Sequence, residues 1–311
     1  MKQPRNDLLN DTFMDMERLV LGTAQLGINY GIANTNGQPD LSTARSIIQE
    51  AWGNRIQEFD TAQAYGESEQ ILGQALQDLG IVDEARIITK LDPTLDHLNK
   101  TVLLKALETS LDNLGVKSLF GLMLHKEDLL ELWERGLGEI LMDVVDSGQV
   151  EYLGVSVYSP EKAKQALETE DISIVQLPAN IFDSRFIGAG VFQLAENEGK
   201  QIYIRSVFLQ GLLLMDVNDI PESLQLAVPV LKTFESLAVE AGISKQGLAL
   251  GYIRQAYPEA KIIFGVETTE QIRKNVECWQ CRMSESLPAK IQDVFDNTEE
   301  KIINPNMWNN A

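Results

Sequence analysis

Four polar side chains stand where apolar runs of the chain stop, and their types together make a proton-transfer set. Asp60 ends Glu58-Phe-Asp, Tyr65 follows in Thr61-Ala-Gln-Ala-Tyr, Lys90 ends Ile87-Ile-Thr-Lys, and His125 ends Leu122-Met-Leu-His. A phenol with its ordinary pKa near ~10 is a poor proton donor at neutral pH, and an ammonium beside it lowers that value. Lys90 is expected to supply the ammonium, Asp60 to pair with it and fix it, and His125 to hydrogen-bond the substrate oxygen. Such a set protonates a carbonyl oxygen or deprotonates an alcohol. Taken singly, each residue has a plain structural explanation. Asp60 caps a turn, Tyr65 is a half-buried aromatic, Lys90 snorkels to solvent, and His125 is a satisfied structural histidine. The chemistry requires a fold that brings all four to one spot.

Short β-branched runs alternate with longer stretches of helical periodicity. The apolar runs cover 19–22, 56–60, 86–90, 119–125, 152–157, 174–178, 201–207 and 261–265. Between and after them, amphipathic stretches cover 43–52, 67–79, 98–114, 129–147, 160–168, 191–198, 224–241 and 269–277. Eight strand-then-helix units call for parallel strands joined by right-handed crossovers. In 311 residues they fit an α/β fold, a single (β/α)8 TIM barrel. An open doubly wound sheet would carry a Gly-rich phosphate turn after an early strand. Here the first run leads into Gly22-Thr-Ala-Gln-Leu-Gly27, which lacks that spacing. The expected organisation is a polar N-terminal segment, 1–16, and one barrel domain, 17–311, with an extra loop or helix between 207 and 261. Function on a barrel gathers at the C-terminal strand ends. Neighbouring strands lie ~5 Å apart, so the second, third and fourth can bring the four side chains together.

With 44% hydrophobic and 23% charged residues the composition is ordinary, which excludes collagen-like and largely disordered classes. Lys and Arg number 26 against 46 Asp and Glu, a net charge of −20 that makes nucleic acid a poor partner. No run of ~18 apolar residues is present to span a membrane, and 1–17 lacks the apolar core of a secretory signal. A cytoplasmic protein without nucleic-acid or membrane partners is expected. Cys278 and Cys281 lack a second Cys or His pair to complete a zinc site. They also follow a helical stretch rather than opening a helix after a strand, so two reduced thiols and no metal are expected.

On Asp60-Thr-Ala-x-x-Tyr-Gly-x-Ser-Glu69, the Lys90 of Ile-Thr-Lys and the strand-end His125, the sequence resembles the aldo-keto reductase family. The likeness extends to the opening Leu21-Gly-Thr-Ala-x-Leu-Gly27 and the closing Gly265-Val-Glu-Thr-Thr-Glu-Gln-Ile-Arg-Lys-Asn-Val276. It implies a barrel that binds NADP(H), with NAD(H) also possible, over its C-terminal face. Hydride then passes between the nicotinamide and an aldehyde, ketone or sugar carbonyl, with Tyr65 as proton donor. Position by position, the resemblance implies cofactor contacts at Gly22, Thr23, Asp60, Ser156, Gln176, Arg205, Ser206, Leu209, Gly211, Gly265, Thr268, Gln271 and Asn275. Ser156 and Gln176 match residues that hold the nicotinamide carboxamide, and Leu209, Gln210 and Gly211 match a loop that touches the pyrophosphate. Val157 stands where relatives often place Asn. Arg205 stands where relatives often stack a Tyr under the nicotinamide, and a guanidinium can lie flat beneath such a ring.

Relatives that use NADP usually present a basic residue to the 2′-phosphate near the start of the last helix. Here Glu267 and Glu270 oppose a phosphate, while Arg273, Lys274 and a helix N-terminus favour one. The sum predicts that NADPH is used and that NADH competes seriously. Pocket walls are expected near 26–30, near Lys126, over 181–187 and from the tail with Trp308, with Arg185 and Arg205 placed to meet an anionic substrate. Two other readings stand beside this one. The first is a non-catalytic cofactor-binding regulatory subunit on the same barrel, which needs no Tyr–Lys pair. The second is a lyase that forms a Schiff base on Lys90.

Overall fold

The computed structural model describes residues 15–308, so most of the expected N-terminal segment lies outside the described residues. Eight parallel strands close into a barrel in chain order: β1 (Leu19–Gly22), β2 (Glu58–Asp60), β3 (Arg86–Leu91), β4 (Leu119–Leu124), β5 (Val150–Ser156), β6 (Ile172–Pro178), β7 (Gln201–Arg205) and β8 (Lys261–Gly265). β1 pairs with β8, Leu21 opposite Phe264, and completes the ring. Every apolar run becomes a strand; 19–22 and 261–265 keep their bounds and the other six shift at one or both ends. β2 starts at Glu58 because the Ile56 amide donates back to the Ala51 carbonyl at 3.0 Å, which keeps the chain in the preceding turn. β7 stops at Arg205 because Ser206 takes a φ of 62°.

The longer helices are α1 (Leu41–Gly53), α2 (Ser68–Leu79), α3 (Lys100–Leu114), α4 (Leu137–Asp146), α5 (Pro160–Glu168), α6 (Val191–Asn197), α7 (Val228–Ala241), α8 (Lys245–Ala256), α9 (Thr269–Trp279) and α10 (Leu287–Phe295). The stretch 129–147 is divided: a 3-10 segment, Glu127–Arg135, ends at Gly136, whose φ of 114° breaks the spiral before α4. The extra element between 207 and 261 is α8, capped by Ser244, which accepts from the Gly247 amide.

Side chains on the strands alternate between the barrel lumen and the helical sheath. Val20, Ile88, Met123, Ile174, Tyr203 and Ile263 form one lumen layer, and Phe59 packs with the outer core. Glu58 and Asp60, two residues apart on β2, therefore share the lumen side of the strand.

Candidate active site

Asp60 ends β2 at the C-terminal rim. Lys90 reaches it from β3, its Nζ donating to both carboxylate oxygens at 2.7 Å and to the Thr61 carbonyl at 3.0 Å. Gln176 on β6 crosses the lumen and donates from Nε2 to Asp60 Oδ1 at 2.7 Å. A buried ion pair holds only when its remaining lone pairs and protons are satisfied, and Gln176 and Thr61 do that here. Burial pushes the Lys90 ammonium down and the Asp60 carboxylate pulls it back up.

Tyr65 is presented by a turn that two glycines lock together. Gly66 has a φ of 58°, and a Cβ there would stand 2.5 Å from the Gly27 carbonyl oxygen; a Cβ on Gly27 would stand 1.8 Å from that of Tyr65. Ser68 and Glu69 of the same motif fasten the turn. Ser68 Oγ donates to the Thr23 carbonyl at 2.8 Å, and Glu69 accepts from Thr89 Oγ1 at 2.6 Å and Ser110 Oγ at 2.8 Å. His125, the first residue past β4, sets its ring edge-on to Tyr65 with centroids 5.5 Å apart. Lys90 Nζ lies 5.3 Å from the centre of the Tyr65 ring. The four rim residues thus converge.

The expected lowering of the Tyr65 phenol by Lys90 does not occur. Burial and the Asp60 carboxylate push the phenol above its ordinary value, and the cation opposing them is Arg205. The Lys90 ammonium is committed to Asp60, whose oxygens take its three hydrogen bonds together with the Thr61 carbonyl. His125 is pushed down to about 3 by burial and by the Lys90 and Arg205 charges, which keeps its imidazole neutral at physiological pH.

From Asp60 and Tyr65 a cleft of about 250 Å³ runs past β1 and the β7 loop to the start of α9. Gly22, Thr23, Asp60, Gln176, Arg205, Ser206, Gly211, Gly265, Gln271 and Asn275 all line it. Ser156 does not; it is buried behind Gln176, 3.4 Å from Gln176 Oε1 and 3.4 Å from Arg205 Nε. The Leu209 side chain is sealed in the outer core, and Thr268 caps α9. The loop after β7 is strained: Ser206, Leu209 and Gln210 have φ values of 62°, 47° and 55°. Left-handed backbone at non-glycine residues costs ~1–3 kcal/mol each and persists where the surroundings fix it. The buried Leu209 does so here.

Several lining residues carry no sequence signal of their own, among them Gln25, Phe208 and Gln246. Tyr158, behind the lining, carries none either: its ring lies under the Arg205 guanidinium at 4.0 Å. Arg205 also donates to the Val157 carbonyl at 3.1 Å, and among the described residues no carboxylate pairs with it. Arg185, by contrast, is bound to Asp183 at 2.8 Å and Glu300 at 3.3 Å outside the cleft, so it does not meet a substrate there. Of the expected walls, 26–30 contributes Tyr30, while Lys126 and 181–187 do not line the cleft. Trp308 lines a separate hollow with Leu224 and Leu226. Cys278 and Cys281 are free thiols. Among the described residues no helix is long and apolar enough to cross a membrane.

The aldo/keto reductase family model matches residues 18–295. Aldo-keto reductase YhdN of Bacillus subtilis is 28% identical over 56% of this chain, and the match spans about half, 53%, of that protein. The NADH-specific methylglyoxal reductase of Escherichia coli is 24% identical, with 94% of this chain and 98% of that one covered. Among solved structures, aldo-keto reductase AKR11C1 from Bacillus halodurans in its holo form superposes with a TM-score of 0.72 at 21% identity, covering 89% of this chain and 91% of that one.

Proposed function

The chain belongs to the aldo/keto reductase family, whose members are NAD(P)-dependent oxidoreductases acting on carbonyls, and from that premise we propose that its cleft binds NADP(H) or NAD(H) and reduces a small aldehyde, ketone or sugar carbonyl. The convergence of Asp60, Tyr65, Lys90 and His125 at one end of an elongated cleft carries this reading. The lining fits a dinucleotide: glycines at Gly22, Gly211 and Gly265 let it approach the backbone, and Gln176 offers an amide to a carboxamide at the reacting end. When bound, the nicotinamide supplies the hydride.

The protein's own part is the proton. Tyr65 donates it to the carbonyl oxygen as charge develops there, and its raised pKa keeps the proton in place until that moment. Neutral His125 offers a ring N–H to the same oxygen. The Arg205 guanidinium then stabilises the phenolate that Tyr65 leaves behind, while Lys90 fixes Asp60 beside it. Ser206, Gln271 and Asn275 belong to the proposed binding surface; Ser156 supports it from behind Gln176, Thr268 by capping α9, and Leu209 by holding the loop after β7. The Schiff-base reading is disfavoured because Lys90 is fully buried and held by three hydrogen bonds. A regulatory subunit has no need for the intact constellation. With two free thiols and a net charge of −20, we place the protein in the cytoplasm, without nucleic-acid partners.

Titration with NADH and NADPH, followed by protein fluorescence, tests the reading. Loss of reduced-nicotinamide absorbance with a panel of carbonyl substrates follows. Binding with turnover is expected; failure of both cofactors to bind at millimolar concentration overturns it.

A further inference from the structure

We infer that this chain selects NAD(H) over NADP(H), and that Glu267 makes the choice by barring a 2′-phosphate from the α9 end of the cleft. The inference rests on the reading of the cleft as a dinucleotide site. Among the described residues, three charged ones line that cleft: Asp60, Arg205 and Glu267. Asp60 is neutralised by Lys90 behind it. Arg205, the one lining cation, sits at the β7 end on the face of Tyr158. It can meet one anionic group of a bound dinucleotide, and no second lining cation remains for another. At the far end stands a carboxylate.

That carboxylate is held in place. Gln271 Nε2 donates to Glu267 Oε2 at 3.1 Å, while Gln271 Oε1 accepts from the backbone amides of Glu267 at 2.6 Å and Thr268 at 3.2 Å. Thr268 Oγ1 accepts from the Gln271 amide at 3.3 Å. A helix start usually welcomes an anion through its unpaired N–H groups. Here the reciprocal Thr268–Gln271 cap occupies two of them, those of Thr268 and Gln271, together with the Glu267 amide just before the helix, and Glu267 itself stands over the start. The cations nearby are turned elsewhere. Arg273 is paired with Glu50 at 2.8 Å and Glu270 at 3.6 Å, Lys274 with Glu277 at 3.3 Å, and Lys245 Nζ donates to the Met215 carbonyl at 2.7 Å. A ribose hydroxyl at this end can donate to Glu267. A phosphate monoester there brings about two negative charges against a fixed carboxylate with no compensating cation.

Titration calorimetry of the full chain with NADH, NADPH, 5′-AMP and adenosine 2′,5′-bisphosphate tests this without turnover. NADH is expected to bind at least tenfold tighter than NADPH, and 5′-AMP tighter than the bisphosphate. Glu267→Gln should narrow the NADH:NADPH ratio at least fivefold, mainly by tighter NADPH binding, and added salt should narrow it in the wild type. Wild-type binding of NADPH as tight as NADH overturns the inference while leaving the oxidoreductase reading intact. An unchanged ratio in Glu267→Gln removes Glu267 from the role. Failure of every ligand to bind overturns both readings.

Discussion

The two ends of the barrel carry nearly the same chemistry, and only one end can use it. Both start from β2, where Glu58 and Asp60 sit two residues apart on the lumen side. At the lower end Glu58 Oε2 accepts from Arg86 Nε at 3.2 Å and Lys261 Nζ at 3.3 Å, beside the buried Tyr203 phenol. At the upper end Asp60 is paired with Lys90, near Tyr65. Both phenols are shifted up, first by burial and then by the β2 carboxylate. The difference lies in access. The lower carboxylate is closed over by Tyr203 and by cations whose side chains are 40% and 19% exposed, so their outer parts stay hydrated. The upper pair is sealed beneath, opens onto a cleft, and has a neutral imidazole at its edge. A perturbed phenol and an ion pair do not make a site; a path for substrate and a second hydrogen-bond donor do.

The sharpest way to break that contrast is to remove each hydroxyl in turn. Tyr65→Phe is expected to lower kcat by ~10²-fold or more, with cofactor Kd nearly unchanged. Tyr203→Phe should leave kcat within about threefold of wild type, since its loss is one buried hydrogen bond worth about 1 kcal/mol of stability. Equal loss of turnover in the two variants would erase the distinction between the ends.

Next in size is the upper ion pair. Lys90→Met strands Asp60 in a dry setting, which is expected to cost about 3–5 kcal/mol in urea unfolding and to abolish turnover. Retained activity with an unshifted urea midpoint would show that Asp60 finds another partner.

The pH profiles sharpen the contrast further. Tyr65 must be protonated to reduce a carbonyl, and its pKa is raised, so kcat/KM for reduction should stay level through neutrality and past the ordinary phenol value of ~10. Alcohol oxidation needs the deprotonated phenol and should instead rise with pH. A reductive limb falling at or below roughly pH 10, the range of an ordinary or lowered pKa, would contradict the upward shift. His125 adds a stability effect of the opposite limb. Its folded pKa of about 3 lies below the ordinary 6.5, so an unfolded chain takes up the proton first as pH falls. The stability gained from the neutral imidazole is full above 6.5 and is lost on acidification towards 3. Urea melts of His125→Gln should show a flatter dependence across that window.

The smallest effect belongs to the lower end. Arg86→Ala is expected to cost under about 1 kcal/mol, because the guanidinium is partly exposed and Lys261 still covers Glu58. A loss as large as that from Lys90→Met would mean that both ends are equally dry.

What the sequence carries on its own follows from local rules. Apolar runs and amphipathic stretches of longer period specify eight strand–helix units, and the lack of a Gly-rich phosphate turn after the first strand favours a closed ring over an open sheet. Placing Asp60, Lys90 and His125 at strand ends follows from the same pattern, and Tyr65 from its place in the turn beyond β2. The direction of the Tyr65 shift does not, because it depends first on how deeply the turn buries the phenol and then on how near the Asp60 carboxylate comes to it, and only the packed rim sets both. Arg185, Arg273 and Lys274 read as free cations in the chain, yet packing delivers Asp183, Glu50 and Glu277 to them. Tyr158 under Arg205 is likewise a contact between side chains whose spacing says nothing of their meeting. Periodicity along one chain fixes which elements form and which residues stand at their ends. Charge state and specificity are sums over neighbours brought in from several strands and loops, and only the closed tertiary structure supplies those neighbours.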